Sequence, residues 1–253
     1  MRSELQAILL VGGRGTRLQS ELGDLPKPMV DICCSPFLER MMLHLWSFGI
    51  GVIVLAVSHR HESIEKYFGD GASLGISVAY SREPQPLGTA GALRNALSLV
   101  QGDQVLVLNG DSFVDADYHE MLRHHRVHRN QLTIAAVQQS DCRDSGRLLI
   151  SNNDVVAFLE KDTFDRSAGY INAGVYVFER RVIETIQPGV VQSLEKEVFP
   201  SLLSRGGRIG AYCTERYFAD LGTPERLRQV RADFLDGRIP FRGVAPVSED
   251  SHG

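Results

Sequence analysis

Five short apolar runs, Ala7–Val11, Val52–Val57, Ser77–Tyr80, Val105–Leu108 and Thr133–Val137, recur through the first half of the chain between longer amphipathic segments. Runs of four to seven apolar residues read as buried strands, and strands alternating with helices read as a largely parallel sheet covered on its faces. Pro36–Phe48 is expected as a helix, with Ser35 as its cap, Pro36 in its first turn and Gly49 at its end. Ala90–Val100 and Asp117–Arg129 read as two more helices.

After Val137 the pattern changes. Arg147–Ile150 and Val155–Leu159 flank Asn152-Asn153-Asp154, a hairpin signal. Tyr170–Phe178 is a strong strand, helices are expected near Arg181–Ile186 and Ser193–Leu203, and Pro224–Leu235 closes the pattern. The expectation is one α/β domain over residues 1–242 with a mixed, mostly parallel sheet, and a polar, frayed tail over residues 243–253.

Composition bounds the function. A net charge of -4 and a pI near 6.1 give no electrostatic reason to expect nucleic-acid binding, though a local basic pocket for small anions remains compatible. No apolar stretch approaches the roughly 20 residues that span a bilayer, and the start lacks the pattern of a signal peptide. Cys33, Cys34, Cys142 and Cys213 form no C-x-x-C pair, so reduced thiols and a cytoplasmic location are expected.

The chemistry concentrates where apolar runs end. Directly after the first run comes GGRGTRL, in which Gly12, Gly13 and Gly15 let backbone amides wrap a phosphate chain and Arg17 adds a charge suited to phosphate. A tight strand-to-helix turn would favour the same glycines. The segment is neither a Walker A loop, which needs Gly-Lys-Ser/Thr, nor the dinucleotide fingerprint, which would put its third small residue at Leu18. Lys27 stands between two prolines that restrict its backbone. In REPQPLGTAGAL, Gly88 and Gly91 would let a ring or ribose approach the backbone, and Glu83 is an acceptor for a base edge. Asp111 follows a buried strand, where ligands bind in open α/β sheets, and Asp220 sits in a similar setting in YFADLGTP. Paired, they form a candidate site for magnesium on a triphosphate. Glu160, Lys161 and Asn172 suit a sugar phosphate and its hydroxyls. His124 and His128 stand one helical turn apart, but no carboxylate or cysteine completes a zinc set, and the neighbouring arginines mark a solvated face. Adjacent Cys33-Cys34 reads as structural.

Taken in order, GGRGTRL, KPM, PLGTAGAL, NGD, EK, NAGVY and DLGTP resemble the sugar-1-phosphate nucleotidylyltransferase family, over about residues 6 to 235. The resemblance implies a Rossmann-like, glycosyltransferase-A-type domain and an enzyme that joins a sugar 1-phosphate to a nucleoside triphosphate with Mg2+. It puts Leu10, Gly12, Gly13, Gly15, Thr16 and Arg17 on the nucleotide, Lys27 beside the transferred phosphorus, and Asp111 and Asp220 on the metal. It puts Glu83, Gly88 and Thr89 at the base and ribose, and Asn109, Gly146, Glu160, Lys161 and Asn172 at the sugar phosphate. Members with acyltransferase activity carry a hexapeptide-repeat extension, so a single activity is expected.

Glu83 can accept from both the ring N–H and the exocyclic amine of guanine, which favours GTP. Within the family the wording is similar to the D-glycero-D-manno-heptose 1-phosphate guanylyltransferases, with Asp162, Asp165 and Arg166 as candidates for the longer sugar arm. Other sugar 1-phosphates, such as mannose or glucose, with GTP, UTP or dTTP, form the alternative. A metal-dependent glycosyltransferase using Asp115-Ala116-Asp117 and a non-enzymatic nucleotide-sugar sensor are the further rivals. Neither a nucleic acid nor a membrane is expected as partner, and a homo-oligomer is compatible with the sequence.

Overall fold

The computed structural model describes residues 5–13, 23, 25–58, 61–142, 146–159 and 167–243. Among these residues a nine-stranded mixed sheet forms the centre, in the order β3-β2-β1-β4-β9-β6-β10-β8-β7. Its first half is parallel: β1 (Gln6–Leu10) lies between β2 (Val52–Val57) and β4 (Gln104–Asn109), with β3 (Ser77–Arg82) outside β2. These strands are nearly continuous apolar runs because both sheet faces are covered. The direction reverses at β9 (Gly169–Glu179), which is antiparallel to β4 on one side and to β6 (Leu132–Gln139) on the other. β10 (Ile209–Thr214) runs parallel to β6, and the hairpin of β7 (Arg147–Ser151) and β8 (Asp154–Leu159) closes the far edge. Asn152 and Asn153 make its turn with φ of 51° and 66°, the left-handed pair that a tight hairpin demands.

Two apolar clusters cover the two faces. One packs α1 (Phe37–Ser47), α2 (His61–Phe68), α4 (Tyr118–Val127) and α7 (Pro224–Leu235) through Phe37, Leu45, Ile64, Met121 and Leu227. The other holds α3 (Gly88–Ala96), α5 (Arg180–Glu184) and α6 (Phe199–Ser204) through Leu93, Ile183 and Phe199. No helix among the described residues is long and apolar enough to cross a membrane.

Three local expectations change. Ser35 does not cap α1; its carbonyl accepts from Ile32 N–H in a tight turn, and the Phe37 N–H is taken by the Val30 carbonyl. Gly49 does end that helix, at φ 76°. The segment expected as one helix over Ser193–Leu203 is a π turn, Leu194–Val198, running into α6, with the Ser193 hydroxyl accepting from Lys196 N–H. A small second sheet, β5 (Ser112–Val114) with β11 (Phe218–Asp220), adds strands that the apolar runs did not announce.

Candidate active site

The carboxyl ends of β1 and β4 and the start of α3 enclose a cavity of about 410 Å3. Leu10, Gly12, Gly13, Lys27, Glu83, Gly88, Thr89, Asn109 and Asp111 all line it. Residues expected on the nucleotide, the transferred phosphorus, the metal and the sugar phosphate, though spread from position 10 to position 111, thus line one hollow. Gly15, Thr16 and Arg17 lie outside the described residues, as do Glu160, Lys161, Asp162, Asp165 and Arg166.

Each wall has a local cause. Gly110 N–H donates to the Leu10 carbonyl, and a Cβ on Gly110 would sit 2.5 Å from Val11 Cγ1, so β4 closes tightly on β1 only with glycine there. The Ser58 hydroxyl donates to the Gly12 carbonyl at 2.7 Å and steadies the start of the glycine-rich loop. Lys27 opens a single 3-10 turn, Lys27–Met29, whose Pro28 and Met29 are buried; the ammonium is therefore delivered on an anchored backbone. Its Nζ lies 2.7 Å from Asp111 Oδ2. The lysine side chain is 14% exposed and the aspartate 44%, so the pair points from the wall into the hollow.

Glu83 hangs from the end of β3, its N–H donating to the Val57 carbonyl. Burial pushes its carboxyl pKa up, while a hydrogen bond from Leu87 N–H opposes the shift. Oε1 is buried without a partner. A buried acceptor left unmet costs stability, so it marks a place built for a donor from elsewhere.

The glycines after Glu83 have a different reason from the one expected. A Cβ on Gly88, at φ 73°, would lie 2.4 Å from the Gln192 carbonyl oxygen, and one on Gly91 would lie 2.7 Å from that of Val190. Gln192 N–H donates to the Leu87 carbonyl, and its own carbonyl accepts from Ala90 N–H. The close approach is therefore to segment 190–192, which clamps the start of α3; Gly88 still faces the cavity and Gly91 is buried.

On the far side, Asn172 donates to the Tyr176 hydroxyl at 2.9 Å and accepts from Gly174 N–H at 2.9 Å. Asn109 also hydrogen-bonds Tyr176, which is fully buried. Gly174, at φ 75°, sits in the irregular stretch of β9, where a Cβ would be 2.7 Å from both Asn109 Nδ2 and Ser112 Oγ. Asn172 thus braces Asn109 and is not among the residues lining the cavity. Gly146, at the entry to β7, faces the Leu159 carbonyl.

Sequence reasoning missed Glu195. Its Oε2 accepts from the Thr89 hydroxyl at 3.1 Å and the Ser193 hydroxyl at 3.0 Å, tying the π turn to the cavity wall. The signal was a serine two positions before an acid, which reads first as an ordinary helix start.

The two aspartates are brought together by backbone pairing. Asp220 pairs with Ser112 across β11 and β5, and Leu221 N–H donates to the Asp111 carbonyl at 2.8 Å. Asp220 lines an adjacent hollow, and its carboxylate is held by Arg226. Two carboxylates suit magnesium, which takes oxygen ligands, keeps several waters and commonly shares itself with phosphates. Each is already matched to a cation, Lys27 or Arg226, so the donor set fits a positive guest. The rival motif is engaged in the fold at its far end: Asp117 caps α4 by accepting from His119 and Glu120 N–H, and Ala116 between the two aspartates is buried. Among the described residues no group of three or more metal-ligating side chains gathers, around His124 and His128 or elsewhere. Among the described residues the cysteines form no disulfide.

Comparison with known proteins gives three kinds of match. The family model described as nucleotidyl transferase matches residues 6–237. A mannose-1-phosphate guanylyltransferase of Mycobacterium tuberculosis is 40% identical over 96% of this chain, which spans only 66% of that protein's length. A D-glycero-alpha-D-manno-heptose 1-phosphate guanylyltransferase of Aneurinibacillus thermoaerophilus is 33% identical, over 90% of this chain and 98% of that one. Among solved structures, HddC from Yersinia pseudotuberculosis complexed with GMP-PN has a TM-score of 0.81 at 32% identity, covering 90% of this chain and 99% of that chain.

Proposed function

The chain belongs to the nucleotidyl transferase family, and from that premise we propose that it joins a sugar 1-phosphate to GTP, forming a GDP-sugar and releasing pyrophosphate. The observation that carries the reading is the cavity that gathers the glycine-rich loop, Glu83 and the Lys27–Asp111 pair at the strand ends.

The nucleophile is a phosphate oxygen of the sugar 1-phosphate, already anionic at neutral pH, so no general base is required. It attacks the α-phosphorus of GTP; the bond from that phosphorus to the bridging oxygen breaks, and pyrophosphate leaves with the electron pair. The protein's task is to bring two anions together and to stabilise charge growing on the α-phosphate and leaving group. Lys27, on its anchored turn, does so beside the phosphorus. Gly12, Gly13 and Gly15 cradle the triphosphate, and Arg17 holds the departing pyrophosphate. Asp111 and Asp220 would hold a divalent metal, which would supply positive charge to neutralise the triphosphate. Glu83 Oε1, buried and unpartnered, receives N–H donors from guanine. Asn109 faces the sugar phosphate with Asn172 and Tyr176 behind it, and the family resemblance assigns Glu160 and Lys161 to the same substrate. GTP is at hand in the cytoplasm, where the reaction is placed.

The sugar is D-glycero-D-manno-heptose 1-phosphate, supported by the relatives of matching length. A second reading, mannose 1-phosphate, is favoured by the 40% identical relative. Pyrophosphate release with GTP, measured as the ratio of specificity constants for the two sugars, decides between them. A preference for mannose 1-phosphate rejects the heptose assignment; faster turnover with UTP or dTTP rejects GTP.

A further inference from the structure

Asp220, expected on the metal, is held by a residue of its own neighbourhood. Arg226 Nη1 lies 2.7 Å from Oδ2 and 2.9 Å from Oδ1 of Asp220, and Gly222 N–H donates to Oδ1 at 2.7 Å. Arg226 stands in the first turn of α7, where its N–H is taken by the capping hydroxyl of Thr223. A Cβ on Gly222 would lie 2.5 Å from Asp220 Oδ1 and 3.2 Å from Arg226 Nη1, so only glycine lets the three groups close up. Asp220 and Arg226 line a hollow of about 180 Å3 with Tyr217, Gln229 and Asp233, and Asp220 is not among the residues lining the cavity of Lys27 and Asp111. Yet the β5–β11 pairing already sets the two aspartates' backbones side by side. Arg226 is the side chain that holds the Asp220 carboxylate.

We propose that Arg226 gates the metal site: it competes with a cation for the Asp220 carboxylate, and yields it when the cation arrives with the triphosphate. This rests on the proposed function. The electrostatics give the order of events. Lys27 on Asp111 and Arg226 on Asp220 leave each candidate ligand neutralised, so a bare divalent ion must displace a cation at each. A triphosphate brings several negative charges of its own, attracts both cations and makes their release favourable. The Arg226–Asp220 pair is partly exposed, 37% and 24%. Pairs of this kind are worth little enough to be displaced, yet enough to matter for an ion binding alone.

The test is Mn2+ binding to the full chain, followed by the electron paramagnetic resonance of free Mn2+, without nucleotide and with a non-hydrolysable GTP analogue. Arg226→Gln should bind Mn2+ roughly three- to tenfold more tightly than the parent without nucleotide. The difference should shrink with the analogue present. Arg226→Met, which keeps part of the apolar stem, should match Arg226→Gln. Unchanged or weaker Mn2+ binding in both variants overturns the gate and makes Arg226 a mere support for Asp220. Asp220→Asn separates the two claims. If it leaves nucleotide-dependent Mn2+ binding intact, the metal assignment itself fails; if it abolishes that binding while the Arg226 variants change nothing, only the gate fails.

Discussion

Lys27 sets the electrostatics of the cavity, because its ammonium is largely shielded from water and faces the Asp111 carboxylate. Shielding raises the value of any charge it meets. A phosphorus centre whose oxygens gain charge during displacement therefore gains more from Lys27 in the transition state than in the ground state. Lys27→Ala is expected to lower kcat by about two to three orders of magnitude, with a much smaller change in GTP affinity measured by titration. A variant with weakened binding and unchanged kcat would reduce Lys27 to a ground-state contact. Glu83 makes the matching claim on the base. Glu83→Gln, which replaces one acceptor oxygen by a donor, should cut kcat/KM for GTP by about one to two orders of magnitude and relax discrimination against the other nucleotides. Since burial raises the Glu83 pKa, the carboxylate is lost at a higher pH than an ordinary glutamate's. KM for GTP should accordingly climb as pH falls, before the fold responds, and Glu83→Gln should remove that climb.

The start of α3 shows how an element, rather than a residue, shapes the site. Leu87 and Ala90 are fastened to Gln192, and the Glu195 carboxylate reaches back to Thr89. Gly88→Ala places a methyl against the Gln192 carbonyl at a left-handed φ, so the clamp must open. The expected cost is about 2–4 kcal/mol in urea unfolding, with a raised KM for GTP. Unchanged stability would show that segment 190–192 gives way freely. The glycine signal in PLGTAGAL was legible; the partner it admits was not, because that partner is another stretch of chain about a hundred positions away. Similar reasons separate what could be read from what could not. The strands of the parallel half are buried on both faces and announce themselves as apolar runs. α2 has only Ile64 and Phe68 buried, too few for a clear helical stripe. β5 and β11 are three residues each and owe their existence to pairing with one another. Motif order pointed to Lys27 and Asp111 for one site, and side-chain geometry brings them into contact. Nothing in DLGTPERL distinguishes an Asp220 free for metal from one held by Arg226, since that depends on rotamers and on the turn at Gly222.

At the scale of the whole molecule, the chain leaves α7 and returns through Ile239 and Phe241 to cover α1 and β5, the strand that follows Asp111. His44 is the centre of this cover. It is fully buried, with its ring edge-on to Phe48, Phe113, Tyr118 and Phe241 at 4.9 to 6.3 Å. Nδ1 accepts from Arg242 N–H at 3.1 Å, and Nε2 has no partner. Burial first, and the Arg242 charge second, lower its pKa from 6.5 to about 4. The folded value lies below the unfolded one, so as pH falls the unfolded chain takes up this proton first. The stabilisation due to neutral His44 is therefore complete above about pH 6.5 and is lost progressively down to about pH 4. A gap of that size corresponds to about 3 kcal/mol. His44→Asn keeps an acceptor for Arg242 N–H and removes the titration. Urea unfolding at pH 7 and at pH 4.5 should show the parent losing more stability than the variant by roughly 2–3 kcal/mol. Because Phe113 lies against His44 and its neighbour Ser112 follows Asp111, the same acid step should loosen the site from behind. The parent's affinity for a GTP analogue should then fall over this range by more than that of His44→Asn; identical pH profiles would confine His44 to packing that is indifferent to its charge.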